Sequence, residues 1–248
     1  MSDLSLCERA MVIFNFLPSR TLHPSRAGDA EFSAYVAALA ARPASAPVWH
    51  RYWSRRILER EALLDSPITD LTAVGLAVAV LGTDALAALA RQIGVVLCTP
   101  RLRYAISGEA VRALRARLGD DALRWIRDGR ALHPGLPGEM FRDADQALRH
   151  VMRAGYAAIH AAFLPAPPEI GRRLFLKLPL APEDVFATDE PDFGESDPGD
   201  AKCGNPHRGD ASDAAVATMD PAVAAAVDSD AAMALVTAVH AGSALGGR

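Results

Sequence analysis

Cysteine is scarce. Cys7, Cys98 and Cys203 stand far apart, an odd number with no CxxC pair. That excludes a disulfide scaffold and a structural zinc site of the usual spacing, and it suits a reducing compartment. Aromatic residues are 6% of the chain, so the core has to rest on Ala, Leu and Val. Lysine is nearly missing: 2 of the 26 basic residues, Lys177 and Lys202, are lysines. Beside so much alanine, the arginine excess reflects a GC-rich genome more than guanidinium chemistry, because Arg and Lys differ functionally only at bidentate or stacked sites. Long apolar runs are missing too. The longest, Leu71 to Leu81, is interrupted by Thr72 and Gly75 and is too short to span a bilayer. The opening residues, MSDLSLCERAMVIFNFLP, carry neither a basic segment before an apolar stretch nor a small-residue cleavage site, so no secretory signal is expected. The expectation is a cytoplasmic protein without direct membrane insertion.

Catalytic signatures are equally sparse. The sequence holds no GxxxxGK, no GxGxxG after a strand, no GxSxG and no HExxH, the motifs that cradle phosphates, bind dinucleotides or mount a nucleophile or zinc. His150 and His160 are ten residues apart on one expected helix, near its opposite sides, which does not make a metal-binding face. Asp143 and Asp145 do not face each other at a spacing of two, and they suit the positive end of a helix dipole. Cys98 sits near a helix start, where a thiolate is favoured, but it also ends the apolar run Val95-Val96-Leu97, and a buried inert thiol explains it better. Arg208-Gly209-Asp210 is a chance tripeptide. No catalytic residue, cofactor site or metal site is assigned; a small helical enzyme using Cys98 is kept as an alternative.

The charge that is present is unevenly placed. Residues 1–182 hold 17 acids and 23 bases, whereas 183–248 hold 13 acids and 3 bases. This reads as a basic folded body with an acidic tail. Within the body, MVIFNFL (11–17) alternates, with Val12, Phe14 and Phe16 on one face, and reads as a short strand stopped by Pro18. RRLFLKL (172–178) sets Leu174, Leu176 and Leu178 opposite Phe175 and Lys177. A lone strand leaves its backbone groups unpaired, so these two are expected to pair and close the ends of the body. Between them the spacing predicts helices. One runs from Asp29 to about Ala41, one carries Trp49, Tyr52, Trp53 and Ile57, and a very apolar one spans Asp70 to Leu81. Thr83 opens a helix with Leu86, Leu89, Ile93 and Val96 on one face, and Ser107 caps one with Val111, Leu114 and Leu118 inward. A segment around Leu123 and Ile126 and a long helix from about Glu139 to Phe163 follow, the latter with a stripe of Phe141, Leu148, Met152, Gly155 and Ile159.

The fold class expected is therefore mainly α, a compact multi-helix domain over 1–182 with a small two-stranded β element. Residues 183–219 are expected to be a disordered acidic linker, because they cannot offset ordering entropy by burial. Residues 220–248 are an Ala-rich tail in which 220–241 can form a weak helix with a stripe too thin to dock strongly. Removing residues 190–248 is expected to leave the melting temperature nearly unchanged. The arginines of 101–130 form the most basic stretch, with Arg112, Arg115 and Arg117 turned outward. They are first a solvated face, then a docking surface for an acidic protein, and last a nucleic-acid site, since interleaved aromatics for stacking are absent and Glu109, Asp120, Asp121 and Asp128 dilute the charge.

Three stretches carry a resemblance: FNFLPSRTLHPS (14–25), RQIGVVLCTPRLRYAISGEAVRALRARLG (91–119) and RRLFLKLPL (172–180). Their order and spacing resemble the K subunit of the bacterial type III secretion sorting platform, the YscK/SctK-type accessory protein. The matching positions are Phe14, Phe16, Pro18, Leu22 and His23, then Gly94, Leu97, Gly108, Glu109, Ala110 and Arg112, then Leu174, Leu176, Leu178, Pro179 and Leu180. The acidic tail departs from that pattern. The resemblance implies a cytoplasmic, non-enzymatic adaptor at the inner face of the secretion apparatus. Its implied partners are the cytoplasmic domain of the inner-membrane ring protein and the C-ring-like pod protein; no nucleic acid is expected.

Overall fold

The computed structural model describes residues 6–26, 46–105, 107–180 and 228–246. The helix expected over 29–41, the acidic linker 183–219 and the Arg208-Gly209-Asp210 tripeptide lie outside the described residues. Ten α-helices are seen among the described residues: α1 (Leu6–Phe16), α2 (Ala46–Arg60), α3 (Leu76–Ala79), α4 (Thr83–Leu97), α5 (Thr99–Leu102), α6 (Gly108–Leu118), α7 (Ala122–Asp128), α8 (Ala144–Phe163), α9 (Pro168–Phe175) and α10 (Ser229–Gly246).

At the centre α4 crosses α8. The stripe read for α4 is buried: Leu86, Leu89, Ile93 and Val96 are all within 3% of full burial. Two glycines set the crossing. A Cβ added at Gly94 would collide with the backbone carbonyl of Val151, and one at Gly155 with that of Ala90, so the two backbones touch where only hydrogen side chains fit. Around this pair, α6 packs on α8 and α7 packs on α4. The long helix begins at Ala144, five residues later than expected. Asp143 caps it by accepting from the Gln146 amide at 2.6 Å, and Gln146 Oε1 accepts from the Arg142 amide at 2.7 Å, a reciprocal cap that fixes the first turn.

No β-strand occurs among the described residues, and the expected two-stranded element is corrected: both segments are helical. In 11–17 the buried positions are Phe14 and Asn15, while Val12 and Phe16 are 40% and 53% exposed. In α9 and the turn after it, Ile170, Arg173, Leu174, Lys177 and Leu178 are buried, the i, i+3, i+4, i+7, i+8 spacing of a helix face. Two cations occupy that face because backbone carbonyls, three of them at the ends of other helices, accept from them. Arg173 donates to the Leu63 and Glu169 carbonyls, both at 2.9 Å. Lys177 Nζ donates to the carbonyls of Ala79 at 2.7 Å and Leu81 at 2.9 Å, and it stands 4.5 Å from the centre of the Phe14 ring. Burial pushes the Lys177 ammonium down to about 7.

The two ends of the body do meet, by other bonds. The His23 amide donates to the Leu176 carbonyl at 2.9 Å, and Arg26 Nε donates to that of Leu178 at 2.7 Å. Asn15 bridges α1 to the chain after α2, giving and taking one 2.9 Å bond with Ile68.

Two further expectations change. The apolar helix over Asp70–Leu81 shrinks to Leu76–Ala79, and Leu71 and Val74 are 67% and 77% exposed. Asp70 accepts from both the amide and the hydroxyl of Thr72, at 2.8 and 2.7 Å, and Gly75 turns left-handed at φ +80°; this Asx turn competes with a helix start. The tail helix docks instead of standing off. On α10, Ala232, Leu235, Val236 and Val239 are at most 3% exposed, and α10 packs on both α8 and α4. Ala232 counts for little in a hydrophobic tally, yet its small side chain brings the helix close enough to bury its neighbours. Leu235→Ala should therefore cost about 3 kcal/mol in urea unfolding; an unchanged midpoint would show that α10 adds nothing to the fold.

Candidate interaction surface

Ser107 performs the expected cap, its Oγ accepting from the Ala110 amide at 3.1 Å. With Leu114 and Leu118 buried, the helical period turns Arg112, Arg115 and Arg117 outward, and all three are exposed. They are not equivalent. Arg115 Nε pairs with Asp120 at 2.6 Å and Arg117 Nε with Asp145 of α8 at 2.8 Å, exposed pairs worth at most about 1 kcal/mol each. Arg112 has no acidic partner among the described residues. Its guanidinium leans back over the first turn of α6, 3.7 Å from where a Gly108 Cβ would lie.

Beside that turn lies a groove of about 550 Å³ between α5, α6 and the chain entering α8. Its wall includes Tyr104 and Met140, 59% and 61% exposed, and the half-buried Phe141. Arg101 closes one end: its guanidinium carbon sits 3.9 Å from the Phe141 ring centre, and its Nε donates to the Glu139 carbonyl at 2.7 Å. Sequence reading assigned Phe141 to the stripe of the long helix and gave Tyr104 and Met140 no role. The available signal was a Tyr and a Met among charged neighbours.

A second exposed cluster on α2 also escaped the sequence reading. Val48, Trp49 and Tyr52 are 68%, 40% and 49% exposed. Trp49 and Tyr52 meet edge to face, and the Arg56 guanidinium lies 5.8 Å from the Tyr52 ring centre.

The basic stretch is largely tied to its own protein. Arg127 holds Asp128 at 2.8 Å, and Arg124 lies 5.2 Å from the Trp125 ring centre. His150 and His160 face different neighbours, as their spacing requires. His150 sits by Phe141 at 5.5 Å, and His160 stacks on Phe175 at 4.4 Å. Burial, with the Arg26 charge, lowers the His160 pKa. No group of three potential metal-ligating side chains occurs among the described residues, and no helix there is long and apolar enough to cross a membrane.

Cys98 ends α4 and is 1% exposed. Burial pushes its thiol up to about 12, against the weaker pull of the Arg101 charge, and only the thiolate reacts. Native Cys98 should therefore resist iodoacetamide at pH 8 and react once the chain is unfolded, read by peptide mass; rapid native alkylation would revive the thiol chemistry.

Comparison with curated proteins and with solved structures finds no match. The family model described as YOP proteins translocation protein K (YscK) matches residues 14–196, well over half of the 248-residue chain. The matched region holds every helix from α2 to α9, the α4–α8 crossing, the arginines of α6 and the groove beside them. The chain belongs to the YscK family, and its role lies in type III secretion.

Proposed function

We propose that this chain is a non-enzymatic adaptor of the sorting platform. It links the cytoplasmic domain of the inner-membrane ring protein to the C-ring-like pod protein, from the cytoplasmic face of the apparatus. The observation that carries this reading is the family match across 14–196. The helical body supports it: apolar helix faces are used up on one another, while exposed arginines, Trp49 and Tyr52 remain outside. Arg, Trp and Tyr are the side chains that most often dominate protein–protein binding energy. On this reading Arg112, Arg115 and Arg117 meet an acidic partner surface and steer its approach.

The full chain should co-elute with the pod protein or the ring protein's cytoplasmic domain at micromolar concentration, and its deletion should stop secretion. R112E/R115E/R117E should weaken that association, with R112E moving stability by no more than about 0.5 kcal/mol and R115E and R117E, which break the pairs with Asp120 and Asp145, each costing about 1 kcal/mol. Failure to bind either partner, with secretion intact in the deletion, would overturn the adaptor.

A further inference from the structure

We propose that α10 is a detachable cover over a helix-docking face of the body, and that the open face takes a partner helix carrying α10's own pattern of side chains. α10 turns Ala232, Leu235, Val236 and Val239 inward, the i, i+3, i+4, i+7 stripe of one helix face, and lays that stripe on α8 and α4. Ala231, Ala234, Thr237 and Ala241 stay exposed. Gly242 lets the last turns close on Trp125, where a Cβ would stand 3.1 Å from the ring. Three aliphatic side chains and an alanine thus define what the face accepts: a narrow helix of small residues with no charge on its inner side.

The fastening is light. Among the described residues one side-chain hydrogen bond, from Ser243 Oγ to Gln92 Oε1, joins α10 to the body, and no ion pair does. By contrast, α9 and the turn after it are tied in through Arg173 and Lys177, which reach carbonyls of other segments at 2.7 to 2.9 Å. The fit of α10 is also incomplete at both ends. Ser229, Asp230 and Met233 border a cleft of about 530 Å³ with Val74 and Pro165. Beside Gly242 and Ser243, a cleft of about 270 Å³ runs along Arg91, Gln92 and Trp125, and Arg91 Nε and Trp125 Nε1 are buried there without a hydrogen-bond partner. α10 supplies a partner to neither. Its place in the chain agrees with a removable element: the seat on α4 and α8 lies within residues 14–196, which the family model matches, and α10 lies beyond them. The 47 residues 181–227 can extend to about 160 Å, enough for α10 to leave without moving α9. Elements with few buried contacts open at a lower free energy than the whole fold.

The proposal concerns this chain alone, and its failure leaves the adaptor reading standing. Hydrogen exchange of the full wild-type chain, read by mass on peptides from α10, α4 and α8, tests the opening. The buried turn from Leu235 to Val239 should exchange at least about tenfold faster than the α4–α8 seam. Equal rates in all three helices, at the limit set by global unfolding, would overturn the proposal. The docking face is tested with the full-length variant L235D/V236D and a fluorescent peptide of residues 228–247 as the probe. The variant should keep Cys98 protected from iodoacetamide and bind one peptide saturably. The wild-type chain, with its seat filled, should bind at least about tenfold more weakly, and a peptide bearing the same two substitutions should not bind. A variant whose Cys98 becomes reactive would make α10 an integral part of the fold and overturn the proposal. So would an intact variant that ignores the wild-type peptide.

Discussion

The backbone contact between α4 and α8 sets the geometry of everything else. Gly94 rests on the Val151 carbonyl and Gly155 on that of Ala90, so the axes are drawn together at two points about a helical turn or more apart along each helix. Dispersion contacts fall off steeply with distance. Close approach therefore lets small side chains such as Ala90, Ala154 and Ala158, each at most 3% exposed, fill the seam. That is how a chain with 6% aromatics builds an interior at all. The same device recurs at the periphery: Gly129 sits against Val96, and Gly242 of α10 against Trp125.

A second constraint closes the body. Helix ends leave carbonyls without intrahelical partners, and burying them unpaired is costly. Arg173 and Lys177 answer this from α9 and the turn after it, taking the carbonyls of Leu63, Ala79 and Leu81. One of the two lysines in the chain is thus spent inside. The cations that remain at the surface are almost wholly arginines, paired locally at Arg115, Arg117 and Arg127, while Arg112 and Arg142 have no acidic partner among the described residues. A body built in this way presents fixed guanidinium groups on short helices, which fits a protein whose family works inside a larger assembly.

Much of this was legible in the letters. The Ser107 cap, the buried face of α4 and the outward arginines of α6 follow from spacing and side-chain chemistry; the three stretches that carry the family were legible as a resemblance. The errors share a cause. A seven-residue apolar run satisfies period 2 and period 3.6 equally well, and in 172–178 the deciding positions were Arg173 and Lys177, which count as polar until their carbonyl partners are known. Asp70 reads as a helix cap or an Asx turn by the same chemistry, and only the left-handed Gly75 decides. The docking of α10 was invisible because alanine adds little to a hydrophobic stripe while permitting close packing. The groove was missed for the opposite reason: Tyr104 follows α5 while Met140 and Phe141 precede α8, and nothing local joins the two segments.

The most direct test is urea unfolding of Gly94→Ala and Gly155→Ala beside Gly108→Ala. A methyl at either crossing must force the backbones apart, so each should lose about 3 kcal/mol by overpacking, against a gain of at most about 1 kcal/mol in helix propensity. At Gly108 the added methyl meets only the end of Arg112, and stability should hold or rise slightly. If Gly94→Ala and Gly155→Ala unfold at the same urea concentration as Gly108→Ala, the two helices do not touch through their backbones, and the account built on that contact is wrong.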